Sequence, residues 1–274
     1  MTYSIVARDP ETGELGVAVQ SHFFSTGSIV PWAQPGVGAV ATQSMAEPSY
    51  GPLGLQLMAG GKSAIEALAA LVAGDQGAAV RQVAMVDAQG RAATYTGESC
   101  IADAGHVTGD GWSVQANMMR RDTVLAAMAS AYEGSAGDLA ERMLDALDAA
   151  EAEGGDIRGR QSAALLVVPA TGPPWQTTID VRVEDHTDPL LELRRLVGMR
   201  KAYVAEADSP AMGDNPELAI WTGIGLAAAG PVDLAMPLLL RAYAADPGWA
   251  VLVRRLPAAN LFPDDPELLD RLTP

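Results

Sequence analysis

The segments of strand-like period in this chain come in groups, and helix-like segments separate the groups instead of alternating with single strands. Residues 2–9 alternate, with Tyr3, Ile5 and Ala7 on one side and Ser4, Val6 and Arg8 on the other, as in a half-buried strand. The turn chemistry of Asp9-Pro10-Glu11-Thr12-Gly13 returns the chain into a second strand over residues 14–20. Residues 28–32 and 36–44 read as two more strands. The period then turns helical over 51–59 and 63–73, where Ile65, Leu68, Ala69 and Val72 make one apolar stripe. A hairpin over 81–96, a strand over 111–118 and helices over 122–132 and 138–153 follow, the last with Leu139, Met143, Leu144 and Leu147 on one face. Strands over 162–168 and 176–183 and a helix over 189–205 come next. A doubly wound parallel sheet needs strict strand-helix alternation, so this order predicts an α+β protein of antiparallel sheets with helices on their outer faces.

A breaker-rich stretch, residues 207–216, reads as a linker between a domain at 1–206 and a small all-helical domain at 217–274. The latter shows helical period over 217–229, 232–245 and 249–256, with Leu218, Trp221, Leu238 and Trp249 as apolar anchors.

The charge balance limits the partners. There are 34 Asp and Glu against 18 Lys and Arg, a net charge of -16, and the lysines are only Lys62 and Lys201. Nucleic acids and anionic membranes are held by clustered basic side chains, so neither is an expected partner. No apolar run approaches the roughly 20 residues of a membrane-spanning helix, and the first residues lack a basic leader. One cysteine, Cys100, forms no intrachain disulfide and suits a reducing compartment, so a cytoplasmic protein is expected. The apolar share of 49% suits a homodimer or higher homo-oligomer.

Thr2 is the most informative residue. Its side chain is small enough for Met1 to be removed, which would leave a threonine with a free α-amine at the head of a strand. Such an amine titrates at about 7.7–8.0 and can serve as base to its own hydroxyl. Gln20-Ser21-His22 is a polar cluster at the end of the second strand, and Gln43-Ser44 closes the fourth. Gln115 and Asn117 share a strand face, where an amide can donate to a developing oxyanion, Asn117 before Gln115. Residues 154–162 bring Asp156, Arg158, Arg160 and Ser162 together, able to hold the amine and a substrate carboxylate or equally to form a structural charge network. Cys100 with His106 is a competing nucleophile and base. His22, His106 and His186 have no ligand spacing, and the lone Gly36-Val37-Gly38 is no nucleotide fingerprint, so neither metal nor cofactor is expected.

Several stretches resemble one bacterial family. They are residues 1–24; Gly36-Val-Gly-Ala-Val-Ala-Thr-Gln-Ser44; Thr96-Gly97 through Cys100, Gly105-His106 and Thr108-Gly109; Gln115-Ala-Asn-Met118; Gly154-Gly-Asp-Ile-Arg-Gly-Arg-Gln-Ser-Ala163; and Asp180-Val-Arg-Val-Glu-Asp-His186. Over about residues 1–200 the chain resembles an uncharacterised family placed in the N-terminal nucleophile (Ntn) hydrolase superfamily. That resemblance implies a four-layer αββα sandwich and hydrolysis of an amide bond in a small polar or peptide-like substrate. On the hydrolase reading Thr2, Asn117 and Asp156 are the expected catalytic residues. Ser21, His22, Gln43, Ser44, His106, Arg158, Arg160 and Ser162 would serve the substrate. Proteasome-like members carry a lysine near the nucleophile, whereas residues 36–44 contain none. The C-terminal helices resemble a segment assigned to peptidoglycan binding in some members. Two other readings stand beside the hydrolase: a non-catalytic ligand-binding or scaffold protein on the same fold, and a Cys100-dependent hydrolase.

Overall fold

The computed structural model describes residues 2–204 and 215–274, so most of the expected linker lies outside the described residues. The chain divides into two compact units, Met1–Val197 and Gly198–Pro274.

The first unit opens with the expected hairpin, β1 (Thr2–Arg8) and β2 (Leu15–Ser21). Then come β3 (Pro31–Gln34), β4 (Gly38–Ser44), α1 (Tyr50–Ala59) and α2 (Ala64–Gly74). These are followed by β5 (Arg81–Asp87), β6 (Ala92–Thr96), β7 (Gly105–Gly109) and β8 (Trp112–Asn117). The rest is α3 (Val124–Gly134), α4 (Leu139–Ala152), β9 (Ser162–Val168), β10 (Ile179–Val183) and the part of α5 (Pro189–Val204) up to Val197. All strand pairs are antiparallel, in a six-stranded sheet of order β10-β9-β2-β1-β8-β7 and a four-stranded sheet of order β3-β4-β5-β6. The protein is thus a mixed α and β fold with antiparallel sheets.

β1 is buried on both faces, not on one as its alternation predicts. Tyr3, Ile5 and Ala7 pack among Met128, Met143, Leu144 and Leu147 of α3 and α4. Val6 packs among Val17, Val19, Ala39, Ala84 and Val86 of both sheets. Placed between β2 and β8 with apolar neighbours above and below, the strand has no face left for water. Contact with α4 is close: a Cβ on Gly16 would lie 2.5 Å from the Met143 methyl.

A third cluster joins Val40, Val83 and Met85 to Tyr50, Leu55, Met58 and Leu68 of α1 and α2. Here the expected stripe is corrected, because Ile65 and Ala69 are exposed and Ala64, Ala67 and Leu68 face inward. The rotation is set at the helix start, where Ser63 and Glu66 cap each other and the Ala64 amide donates to Asp87 Oδ2 at 3.0 Å. β7 is an addition to the expected elements. Its residues are largely exposed at the sheet edge, so it lacks the apolar alternation that announces a strand.

The second unit holds α6 (Pro216–Ala229), α7 (Val232–Ala245), α8 (Gly248–Arg255) and α9 (Pro266–Leu272). Its core is built on Ile220, Ile224, Leu239, Val253, Leu256 and Phe262, with Trp249 partly buried against them. Trp221, expected as an anchor, is 42% exposed. No helix among the described residues is long and apolar enough to cross a membrane.

Candidate active site

The site lies where β1, β2, β4, β5 and β8 end together. Register brings Thr2 opposite Ser21 on one side and Asn117 on the other. In the second sheet Gln43 stands opposite Gln82 and Ser44 opposite Arg81. Thr2 Oγ1 lies 3.0 Å from Ser21 Oγ, and both residues line a cavity of about 410 Å³. Thr26, Gln43 and Ser44 supply its uncharged polar wall, and Phe23, Ile29, Val30, Met45 and Met118 its apolar wall. Two guanidinium groups, Arg81 and Arg158, line it, and none of the described residues that line it is an Asp or Glu.

Behind Thr2 runs a chain of buried carboxamides. Gln43 Nε2 donates to the Thr2 carbonyl at 3.1 Å and to Gln82 Oε1 at 2.8 Å. Asn117 Nδ2 donates to the same Gln82 oxygen at 2.9 Å and to the Thr2 carbonyl at 3.4 Å. Gln82 in turn donates to Thr96 Oγ1 and to the carbonyls of Gly105 and Ala116. Ser4 Oγ donates to Gln43 Oε1 at 2.7 Å and accepts from Gln115 Nε2 at 3.2 Å. Two groups thus converge on the Thr2 carbonyl, with Gln82 holding both.

Backbone strain borders the cavity. Ser44, with φ 71°, closes β4 and Met118, with φ 55°, follows β8, both in the left-handed region, which costs a non-glycine residue about 1–3 kcal/mol. Such conformations persist where the surroundings determine them fully, commonly at functional sites.

The structure brings Thr2, Ser21, Gln43, Ser44 and Arg158 to one cavity and sets the other candidate residues outside its lining. Asp156 is buried, and its described partners are the His22 amide, the Arg158 amide and the Arg158 guanidinium, at 3.1, 2.8 and 3.2 Å. It therefore braces the end of β2 and presents Arg158. His22 takes part through its backbone, and its buried ring Nδ1 has no partner among the described residues. Ser162 accepts from the Thr26 amide at 3.1 Å and donates to the Phe23 carbonyl, which fixes the segment carrying both lining residues. Asn117 is committed behind Thr2. Arg160 is held by Glu151 and Asp188 at 3.4 and 3.1 Å. His106 Nδ1 meets Thr96 Oγ1 at 2.9 Å, and burial lowers its pKa. Cys100 donates to the Arg81 carbonyl at 3.3 Å, so its thiol and the His106 ring have separate partners.

Arg81 and Gln82 are the additions. Both open a strand that the sequence marks as apolar, and only the pairing of β5 with β4 reveals that they stand beside Ser44 and Gln43. Arg81 Nε binds Asp75 Oδ2 at 2.9 Å, a contact that holds the Asp75 carboxyl below its ordinary range. Among the described residues no group of three or more His, Cys, Asp or Glu is arranged to hold a metal ion.

The family model described as "Family of unknown function (DUF1028)" matches residues 2–193. The chain belongs to the DUF1028 family. A DUF1028 protein from Silicibacter pomeroyi, known from its crystal structure, is 32% identical and covers 75% of this chain and 90% of its own, with a TM-score of 0.67. Anbu, the ancestral beta-subunit from Yersinia bercovieri, covers 76% of this chain and 98% of its own at 12% identity. Its TM-score of 0.35 is too low to carry an argument. No curated protein matches the chain.

Proposed function

We propose that this DUF1028 protein is an N-terminal nucleophile amidohydrolase on a four-layer αββα sandwich, with Thr2 as its nucleophile. The observation that carries this reading is the placement of Thr2. It heads a strand buried on both faces, its carbonyl is gripped from behind by Gln43 and Asn117, and its hydroxyl stands beside Ser21 at a cavity of ligand size.

Removal of Met1 would leave the α-amine next to Oγ1. The amine takes the hydroxyl proton as Oγ1 attacks an amide carbonyl, returns it to the departing amine, and then activates the water that hydrolyses the ester at Thr2. Ser21 orients the hydroxyl. Gln43, Gln82 and Asn117 act as positioning residues, because the Asn117 amide is already spent on Gln82 and Thr2 and is not offered to an oxyanion. Asp156 acts through Arg158.

Intact mass and covalent labelling test the proposal. Protein expressed in bacteria should lack Met1, and an electrophilic acyl probe such as a β-lactone should attach to Thr2. Thr2→Ala should lose the label and Cys100→Ala should keep it. Retained Met1, or equal labelling of wild type and Thr2→Ala, overturns the assignment. Label lost only in Cys100→Ala would favour the thiol, and a cavity that binds ligand without any labelling would favour a binding protein.

A further inference from the structure

Resting on the hydrolytic reading, we infer the substrate class: an amide that carries one free carboxylate and one bulky apolar group. Two features of the cavity point there. The first is electrostatic. In a chain of net charge -16, the described residues lining this cavity include two guanidinium groups and no carboxylate. Each guanidinium is balanced by a carboxylate behind it, Asp75 for Arg81 and Asp156 for Arg158, so what the pair offers an incoming acid is fixed N–H donors on the lining and not a net positive field.

Arg81 is held in place rather than free to swing. Its Nε binds Asp75, its Nη1 donates to the Met45 carbonyl at 2.6 Å, and its side chain is only 19% exposed. Its Nη2 has Glu47 4.0 Å away and no acceptor at hydrogen-bond distance among the described residues. A planar donor held in place on a cavity lining suits a carboxylate, and anchoring it in advance lowers the entropy lost on binding. Arg158, anchored by Asp156, adds a second positive group on the lining.

The second feature is the apolar wall. Phe23 and Met45 line the cavity yet remain 52% and 62% exposed, with Ile29 and Val30 also on the lining. Large apolar side chains left open at a cavity gain by being covered, at roughly 25 cal/mol per Å² of surface removed from water. A small hydrophilic acid would leave that surface wet, and an uncharged apolar amide would leave the guanidinium groups of the lining without an anion in the cavity. A single ligand satisfies both when it carries its carboxylate and its apolar group close to the scissile amide.

The test is calorimetric titration of full-length Thr2→Ala, which cannot turn substrate over, with three probes. N-acetyl-L-phenylalanine carries both groups, N-acetyl-L-phenylalaninamide lacks the carboxylate, and N-acetylglycine lacks the apolar group. The first should bind at least tenfold more tightly than either of the others. Adding Arg81→Gln should abolish its preference over the amide, Arg81→Lys should retain part of it, and Arg160→Gln, outside the cavity, should leave it intact. Thermal midpoints confirm that each variant is folded, with Arg158→Gln as the second arm if Arg81→Gln is not. Equal binding of acid and amide, a preference that survives Arg81→Gln, or no binding of any probe would overturn the inference. Because no turnover is measured, failure of labelling at Thr2 would count against the hydrolase and leave this binding result to be judged alone.

Discussion

Along β1, the residues facing the second sheet change character within one layer. Thr2 and Ser4 meet Ser21, Gln43 and Gln115, whereas Val6, two residues on, meets valines and alanines of both sheets. The apolar end gains about 25 cal/mol for each Å² withdrawn from water and tolerates substitutions of similar volume. The polar end buries four carboxamides, and these must answer one another to recover the cost of leaving water. Gln115 Oε1 and Asn117 Oδ1 find no partner among the described residues, so part of that cost stands. What the polar end gains is geometry, because a hydrogen-bonded lattice admits fewer arrangements than a set of methyl groups. One end of the layer supplies stability, and the other spends some of it to hold Thr2 in a single pose.

Four substitutions probe this division. Thr2→Ala should reduce turnover by roughly 10⁴-fold or more while leaving the thermal midpoint nearly unchanged, which pairs activity measurement with a melting curve. Leu15→Ala at the apolar end should do the reverse: a loss of about 2–5 kcal/mol in denaturant unfolding, with labelling of Thr2 retained wherever the protein is folded. An equal loss of labelling in this variant would break the division.

Gln82→Met sits on the boundary. It deprives the Gln43 and Asn117 amides of their shared acceptor, at about 1–3 kcal/mol for a buried donor left unpaired. As a positioning residue it should lower kcat about tenfold with KM little changed. A change confined to stability would make the carboxamides a structural device only.

The smallest effect concerns His106, whose burial lowers its pKa. The unfolded chain then takes up the proton first, near pH 6.5, so stability should fall as pH drops from about 6.5 to the folded-state value and level off below it. His106→Asn should flatten that part of the profile of melting temperature against pH. Turnover should instead decline as the Thr2 α-amine takes up a proton, a group whose ordinary titration lies at about 7.7–8.0.

Local pattern carried much of the fold. The hairpin of β1 and β2, the pairing of β5 with β6 and the inward face of α4 follow from alternation, turn residues and helical period, which are short-range quantities. α2 did not follow its most apolar stripe, since a capping box and the distant Asp87 set its rotation. β7 was hidden because an exposed edge strand needs no apolar face.

In the site, Thr2, Ser21, Gln43, Ser44 and Arg158 were legible as polar groups at strand ends or in a polar turn, where chemistry is commonly displayed. Their partners were not. Arg160, two residues from Arg158, is drawn to Glu151 and Asp188, while Arg81 arrives from a strand 77 residues away in number and opposite Ser44 in space. Sequence by itself determined most of the elements, the absence of basic clusters and the presence of a threonine directly after Met1. Tertiary structure decided which cations and carboxamides surround it, because sheet register and helix rotation depend on long-range burial and hydrogen bonding that no local period encodes.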